Sequence, residues 1–290
     1  MKKRKNGFAY IMISPTMLIL IALSIFPLIF NVFYSFTDYN FLSRKDVAFI
    51  GLENYINIFK DIYFQQAVFN TLKFTVLAVF FETLFGLTFA LLVNSVQKGR
   101  KQLRTVLLFP TLLPPVTVAL IWQMMFSNNY GIINEMLGEI GIGPVNWLMN
   151  VNTAFYAILT IDIWQYTPFA FLLIYASLQT VPQVQYEAAK IDGAGIWQQF
   201  VYVTLPNIAS GVIVVVLLRT IDTFRLFDKV NILTKGGPAN STATITQYIY
   251  QHGVHGLRIG YGAAVALIMT IIILFMAGAY IKKSIDKQKI

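Results

Sequence analysis

Six ionisable residues lie inside or at the edge of long apolar stretches: Glu82, Asp162, Arg219, Asp222, Arg225 and Lys229. A charge at the centre of a bilayer costs about 2.5–3.5 kcal/mol on insertion scales, so such groups face protein or water and find partners. At about 100° per residue on an ideal helix, Arg219, Asp222, Arg225 and Lys229 fall within one sector of roughly 120°. This mixed-sign stripe could line a wet pathway and hydrogen-bond the hydroxyls of a polar solute. It could equally neutralise itself against a neighbouring helix, and the two readings are compatible. Asp228 lies outside the sector but can pair with Arg225 at i,i+3, while Phe224 and Phe227 point the other way, as packing residues. Asp162, near the outer end of its run, is expected to reach headgroup water. Glu82 lies deeper and is expected to pair or to line a cavity. Trp164 and Tyr166 could stack on a solute, but read more simply as an interfacial aromatic belt.

None of these groups forms a catalytic constellation, and the expectation is a chain with no catalytic residue and no metal site. Cysteine is absent, which removes disulfides and thiolate chemistry. His252 and His255 are only two ligands on a Gly-rich loop, too few for zinc. No G-x-x-x-x-G-K-[ST] loop is present to cradle ATP phosphates, and nothing resembles a Ser-His-Asp or paired-carboxylate site.

The elements that must position these residues are membrane helices. Of 290 residues, 57% are hydrophobic and 12% charged, about half the charge of a soluble domain. Six runs are long enough to span, at 8–36, 74–97, 106–134, 154–180, 201–227 and 261–281. The first follows Lys2, Lys3, Arg4 and Lys5 but is too long for a signal peptide, and reads as a retained anchor. Lys98, Arg100, Lys101 and Arg104 form a second basic group, and Lys282, Lys283, Lys287 and Lys289 a third. Together these three short segments hold 12 of the 22 basic residues. The segment at about 128–152 has no Lys or Arg but carries Glu135 and Glu139. Positive charge collects on the cytoplasmic side, so both termini and the segment at about 181–200 are placed there. The net charge of +9 thus implies a membrane and not nucleic acid. The outer segment at about 37–70 reads as an amphipathic interfacial helix. Pro110, Pro114 and Pro115 predict a kink in the third span. With no repeat or linker evident, 1–290 is expected to be one transmembrane domain, with a core at about 68–281.

A polar insert, EAAKIDGAGIWQQFVYVTLP, covers 187–206. Gln183 to Ile191 favours helix, Asp192-Gly193 supplies a turn in which glycine tolerates positive φ, and a second short helix over about 194–202 leads to Leu205-Pro206. The result is a helix-turn-helix at 182–206 projecting into the cytoplasm. Ala188 and Ala189 let a partner approach the backbone, and Glu187 offers a charge-assisted hydrogen bond to a partner Arg or Lys. The plain alternative is a solvated loop.

In register, Glu187, Ala188, Ala189, Gly193, Val203, Leu205 and Pro206 resemble the cytoplasmic coupling loop of permease subunits in binding-protein-dependent ATP-driven importers. Leu233 to Thr242 is similar to the LTxGGP stretch of sugar permeases of the maltose and glycerol-phosphate type, as are 49–55 and Ser14-Pro15. Val203 stands where isoleucine is usual, and Lys235 interrupts the glycine run. The resemblance covers essentially the whole chain and is typical of the first permease of a heterodimeric pair. It implies an all-α, six-span protein of the type I ABC importer permease fold in a prokaryotic cell membrane. The partners it implies are a second homologous permease, two ATPase subunits, an extracytoplasmic solute-binding protein, membrane lipid and a carbohydrate. ATP and magnesium would be bound by the ATPases, with no cofactor on this chain. A secondary transporter driven by an ion gradient is the rival class. It would explain the charges within spans but not the loop.

Overall fold

The computed structural model describes residues 3–43 and 46–288, so Lys2 and Lys289 of the basic groups lie outside the described residues. The described chain is helical, and it divides into two compact units, Met1–Ile62 with Tyr248–Ile272, and Tyr63–Gln247 with Ile273–Ile290.

In the first unit, α1 (Lys3–Ser35) is a long apolar helix whose side chains from Tyr10 onward are almost all exposed. It is followed by a bridge between Thr37 and Phe49 and by α2 (Glu53–Lys60). Asn54 of α2 is buried and donates to the Ser35 and Thr37 carbonyls at 2.9 and 2.8 Å, satisfying acceptors freed where α1 ends. Ile58 is buried while Ile56 and Phe59 are exposed, the two-faced pattern expected of an interfacial helix.

The second unit opens with α3 (Ile62–Ser95). The third apolar run is not one kinked helix. It is α4 (Arg100–Leu108), a 3₁₀ turn at Pro110–Leu112, and α5 (Pro115–Met125). A proline forces the residue before it out of the helical region. Leu113 before Pro114 and Pro114 before Pro115 accordingly take ψ of 136° and 139°, which breaks the helix. Five described helices are long and apolar enough to cross a membrane, and α5 is a shorter apolar helix; the third of the six expected spans is therefore built from pieces.

After α6 (Ile132–Glu139) comes α7 (Ala154–Gln179), the most buried span of the unit. It packs against α3 so closely that a Cβ on Gly86 would come within 2.7 Å of Ala170 Cβ and 2.8 Å of the Phe171 backbone nitrogen. Only glycine permits that approach. The projecting segment follows as α8 (Gln183–Ile191) and α9 (Ile196–Gln199). Without a break, α9 continues through a π-helical turn at Phe200–Thr204 into α10 (Leu205–Phe224). Pro206 lies directly after the π turn inside this continuous helix, where its missing N–H removes one backbone bond. The fifth span stops at Phe224, and the chain re-forms as the short α11 (Asp228–Leu233). The chain then passes through α12 (Ile245–Ile249) back to the first unit, which holds a second π-helical turn at Tyr250–His255 and the start of α13 (Ile259–Gln288).

Two apolar clusters fill the second unit. Phe74, Val118, Phe155, Ile161 and Val230 anchor one, and Ala90, Ala170, Phe171, Ile208 and Val215 anchor the other.

Candidate functional site

Among the described residues, four buried charges lie in the second unit. Arg219 on α10, Glu82 on α3, Asp162 on α7 and Lys229 on α11 are each at most 1% exposed. Arg219 donates through Nε to Glu82 Oε2 at 2.6 Å and through Nη2 to Glu82 Oε1 at 3.0 Å. Its Nη2 also reaches Asp162 Oδ2 at 3.2 Å, and its Nη1 reaches Asp222 Oδ2 at 3.5 Å. Lys229 Nζ donates to the other oxygen of Asp162. Two cations thus meet two carboxylates. This balance is what allows full burial, because an unpaired charge there would be far more costly than the pairs.

Tyr166, one turn along α7 from Asp162, lies against both cations. Its ring centroid is 4.0 Å from Arg219 Cζ and 4.5 Å from Lys229 Nζ, a double cation–π contact. Tyr166 is therefore not an interfacial belt residue. Trp164 packs edge-on against Trp122 at 5.6 Å. Asp162 does not reach headgroup water either. It is pulled inward because Arg219 and Lys229 present donors to both of its oxygens.

The single helical stripe expected to carry Lys229 does not form. The continuous helical stripe ends at Phe224, and Lys229 reaches Asp162 from a separate short helix. Asp222, Arg225 and Asp228 remain exposed. Arg225 caps α10, and among the described residues it makes no ion pair with Asp228. With Tyr166, Arg219 and Lys229, these exposed groups line a small polar cavity of about 80 Å³. That space is small and polar, and it opens between the buried charges and the exposed groups. In this conformation the buried four tie helices together, and Asp222, Arg225 and Asp228 are exposed at the rim.

The other candidates gather elsewhere in the unit. Glu187, Ala188 and Ala189 lie on α8, and Asp192 caps it. Gly193 takes φ +78°, the left-handed turn its residue type allows. Leu205 and Pro206 are not on this knuckle but in the first turn of α10. No residue of α8 is buried. Glu187 is exposed, and Val184, Ile191, Ile196 and Trp197 are at least 71% exposed.

Sequence reasoning missed several polar side chains. Tyr186 bonds Thr204 between hydroxyls at 3.0 Å, and Asn207 donates to Gln185 Oε1 at 2.7 Å. Asn70 donates to the Asn240 and Ala243 carbonyls, and Thr71 accepts from the Ile245 amide, holding the Gly-Gly-Pro loop. These pairs are far apart along the chain, and no local spacing signals them. Among the described residues no three of His, Asp and Glu gather as a metal would need.

Residues 82–287 match the family described as the inner membrane component of binding-protein-dependent transport systems. The chain is 36% identical to a trehalose/maltose transport system permease protein, MalF, of Thermococcus litoralis, over 97% of this chain and 95% of that protein. It is 34% identical to a sulfoquinovosyl glycerol transport system permease protein, SmoG, of Agrobacterium fabrum, over 94% and 89%. In fold it resembles a chain of a bacterial ABC transporter involved in importing the acidic polysaccharide alginate. That match has a TM-score of 0.85 at 24% identity and covers 97% of this chain and 96% of the other.

Proposed function

The chain belongs to the family of inner-membrane components of binding-protein-dependent transport systems, and from that premise we propose that it is one of two homologous permease subunits in an ATP-driven carbohydrate importer. It is a multi-pass protein of the inner membrane. As one permease domain, with both termini in the cytoplasm, it passes a di- or oligosaccharide or a related polyol delivered by an extracytoplasmic solute-binding protein. Relatives named for trehalose/maltose and arabinooligosaccharide transport support that substrate class. ATP and magnesium are bound, and ATP hydrolysed, by two partner ATPase subunits.

One observation carries this reading: a knuckle of two short helices around Gly193 with no buried residue in either helix. Val184, Ile191, Ile196 and Trp197 are exposed on the same knuckle as exposed Glu187. Such a surface suits a cleft lined by apolar groups and an Arg or Lys. When ATP closes the ATPase pair, the knuckle is displaced and the spans rock between inward- and outward-facing states, each ligand biasing a two-state element. Asp222 and Arg225, exposed at the rim of the polar cavity, face the pathway and meet sugar hydroxyls. Glu82, Arg219, Asp162 and Lys229 hold the wall behind them.

The test is reconstitution of the whole complex in liposomes with its solute-binding protein. ATP hydrolysis and uptake are then measured with maltose, trehalose, longer glucans and glycerol phosphate. Hydrolysis stimulated by one of the sugars and matched by its uptake is the expected result. Uptake by the chain alone, driven by an ion gradient, would make it a secondary transporter instead.

A further inference from the structure

We propose that Tyr186, Thr204, Gln185 and Asn207 form a polar brace that makes α8 and α10 move as one rigid body, so that displacement of the knuckle becomes displacement of the fifth span. The proposal rests on the reading of the knuckle as an ATPase docking site and identifies the residues that carry its motion onward.

The argument starts from what does not hold α8. None of its nine residues is buried, so apolar packing does not fix its angle. Its covalent connections are a turn at each end, at Thr180 to Pro182 and at Asp192 to Gly195. A helix joined only in this way would swivel when pushed. Two side-chain contacts prevent that. The Tyr186 and Thr204 hydroxyls meet at 3.0 Å, and Thr204 is itself buried. One helical turn further along α10, Asn207 donates to Gln185 Oε1 at 2.7 Å and to the Val203 carbonyl at 2.6 Å. Among the described residues these are the side-chain hydrogen bonds from α8 to α10 and its leading turn.

The π-helical turn at Phe200–Thr204 accounts for the register. A π turn holds an additional residue, which rotates everything after it about the helix axis, and such turns cluster at functional positions. Here Thr204 and Asn207 emerge on the side facing α8. Tyr186 directly precedes Glu187, so a pull on the docking carboxylate is applied beside the brace. From Asn207 the rise of an ideal helix carries the displacement about 18 Å along α10 to Arg219, whose bonds to Glu82 and Asp162 pass it to α3 and α7.

The chain contains no cysteine, so paired spin labels can be placed without removing any. Exposed Gln183 on α8 and exposed Ser210 on α10 are changed to cysteine in the assembled complex, and the distance between labels is measured with and without a non-hydrolysable ATP analogue. In the otherwise wild-type chain we expect one narrow distance, the same in both states. Tyr186→Phe and Thr204→Val remove one hydroxyl each, and either should broaden the distribution and make it shift with nucleotide. Uptake per ATP hydrolysed should fall about fivefold, the worth of one net hydrogen bond. Combining the two should add nothing further. Thr204→Ser and Gln185→Glu keep the contacts and should behave as wild type. A role in stability alone would lower uptake and hydrolysis together and leave their ratio and the label distance unchanged. That result overturns the brace, as does a wild-type distance that itself moves with nucleotide. Glu187→Arg separates the two levels. If it releases the ATPase subunits while the brace variants stay narrow, the brace alone falls. If it leaves the complex assembled and active, the docking reading falls and the brace's role goes with it.

Discussion

Arg219 holds Glu82 with two nitrogens, at 2.6 and 3.0 Å, across 137 positions of sequence and with both groups buried. The pair ties α10 to α3, and the same guanidinium reaches Asp162 on α7.

Removing one partner of such a pair leaves the other charged and buried, which costs about 3–5 kcal/mol. We therefore predict that Arg219→Met lowers the stability of the solubilised complex by that amount. Arg219→Lys should recover little, because a single ammonium cannot serve both Glu82 oxygens and the ring of Tyr166 at once. The double variant Glu82→Gln with Arg219→Met removes both charges and leaves Asp162 paired with Lys229, so it should be more stable than Arg219→Met alone. Thermal unfolding of these three variants and of Glu82→Gln alone measures this. A double variant as unstable as the sum of its singles would show that the two residues do not act as a pair.

The knuckle gives a second prediction. Gly193 sits at φ +78°, which proline cannot adopt because its ring fixes φ near −65°. Gly193→Pro must redirect the chain between α8 and α9, while Glu187→Arg leaves the backbone alone and reverses the charge offered to the partner. Both should abolish uptake while the subunit still inserts and accumulates in the membrane. Gly193→Asn, a residue that tolerates the left-handed region, should retain much of the activity. Uptake in cells, normalised to the amount of inserted subunit, distinguishes these outcomes, and normal transport by the first two would contradict the lever.

What could be read from the sequence depended on the range of the signal. Long uncharged runs gave the spans, since length and polarity alone decide them, and Gly193 marked its turn. Pairing across spans was out of reach. Asp162 looked like a residue near the membrane surface because the distance to a span's end is local information, whereas its two cations come from α10 and α11. The stripe from Arg219 to Lys229 assumed an unbroken helix, and nothing in the apolar pattern announced the stop at Phe224. The adjacent prolines 114 and 115 were legible, but as a kink, where the chain makes a break. Each constrains the residue before it, so two in succession break a helix that a single one would bend.

A third prediction concerns pH and the first unit. His252 stacks on Tyr248 at 4.2 Å and lies 5.7 Å from the ring of Tyr261. The Tyr248 hydroxyl donates to Asp61 at 2.5 Å and meets the Tyr261 hydroxyl at 2.8 Å. Burial holds the His252 imidazole below the ordinary histidine range, and the Arg258 guanidinium adds to that, while Asp61 opposes it weakly. The folded state therefore resists protonating a group that the unfolded chain protonates near pH 6.5. Stability linked to His252 is complete above that pH. It declines as pH falls below it, because the unfolded state then takes up the proton first, and the decline levels off once pH drops below the folded value. Melting temperatures between pH 8 and pH 5 should fall in the wild type, and should fall less in His252→Gln, which keeps a polar group of similar size without the titration. His255 is exposed and serves as the control, so His255→Gln should follow the wild-type curve. Identical curves for wild type and His252→Gln would place the pH response elsewhere.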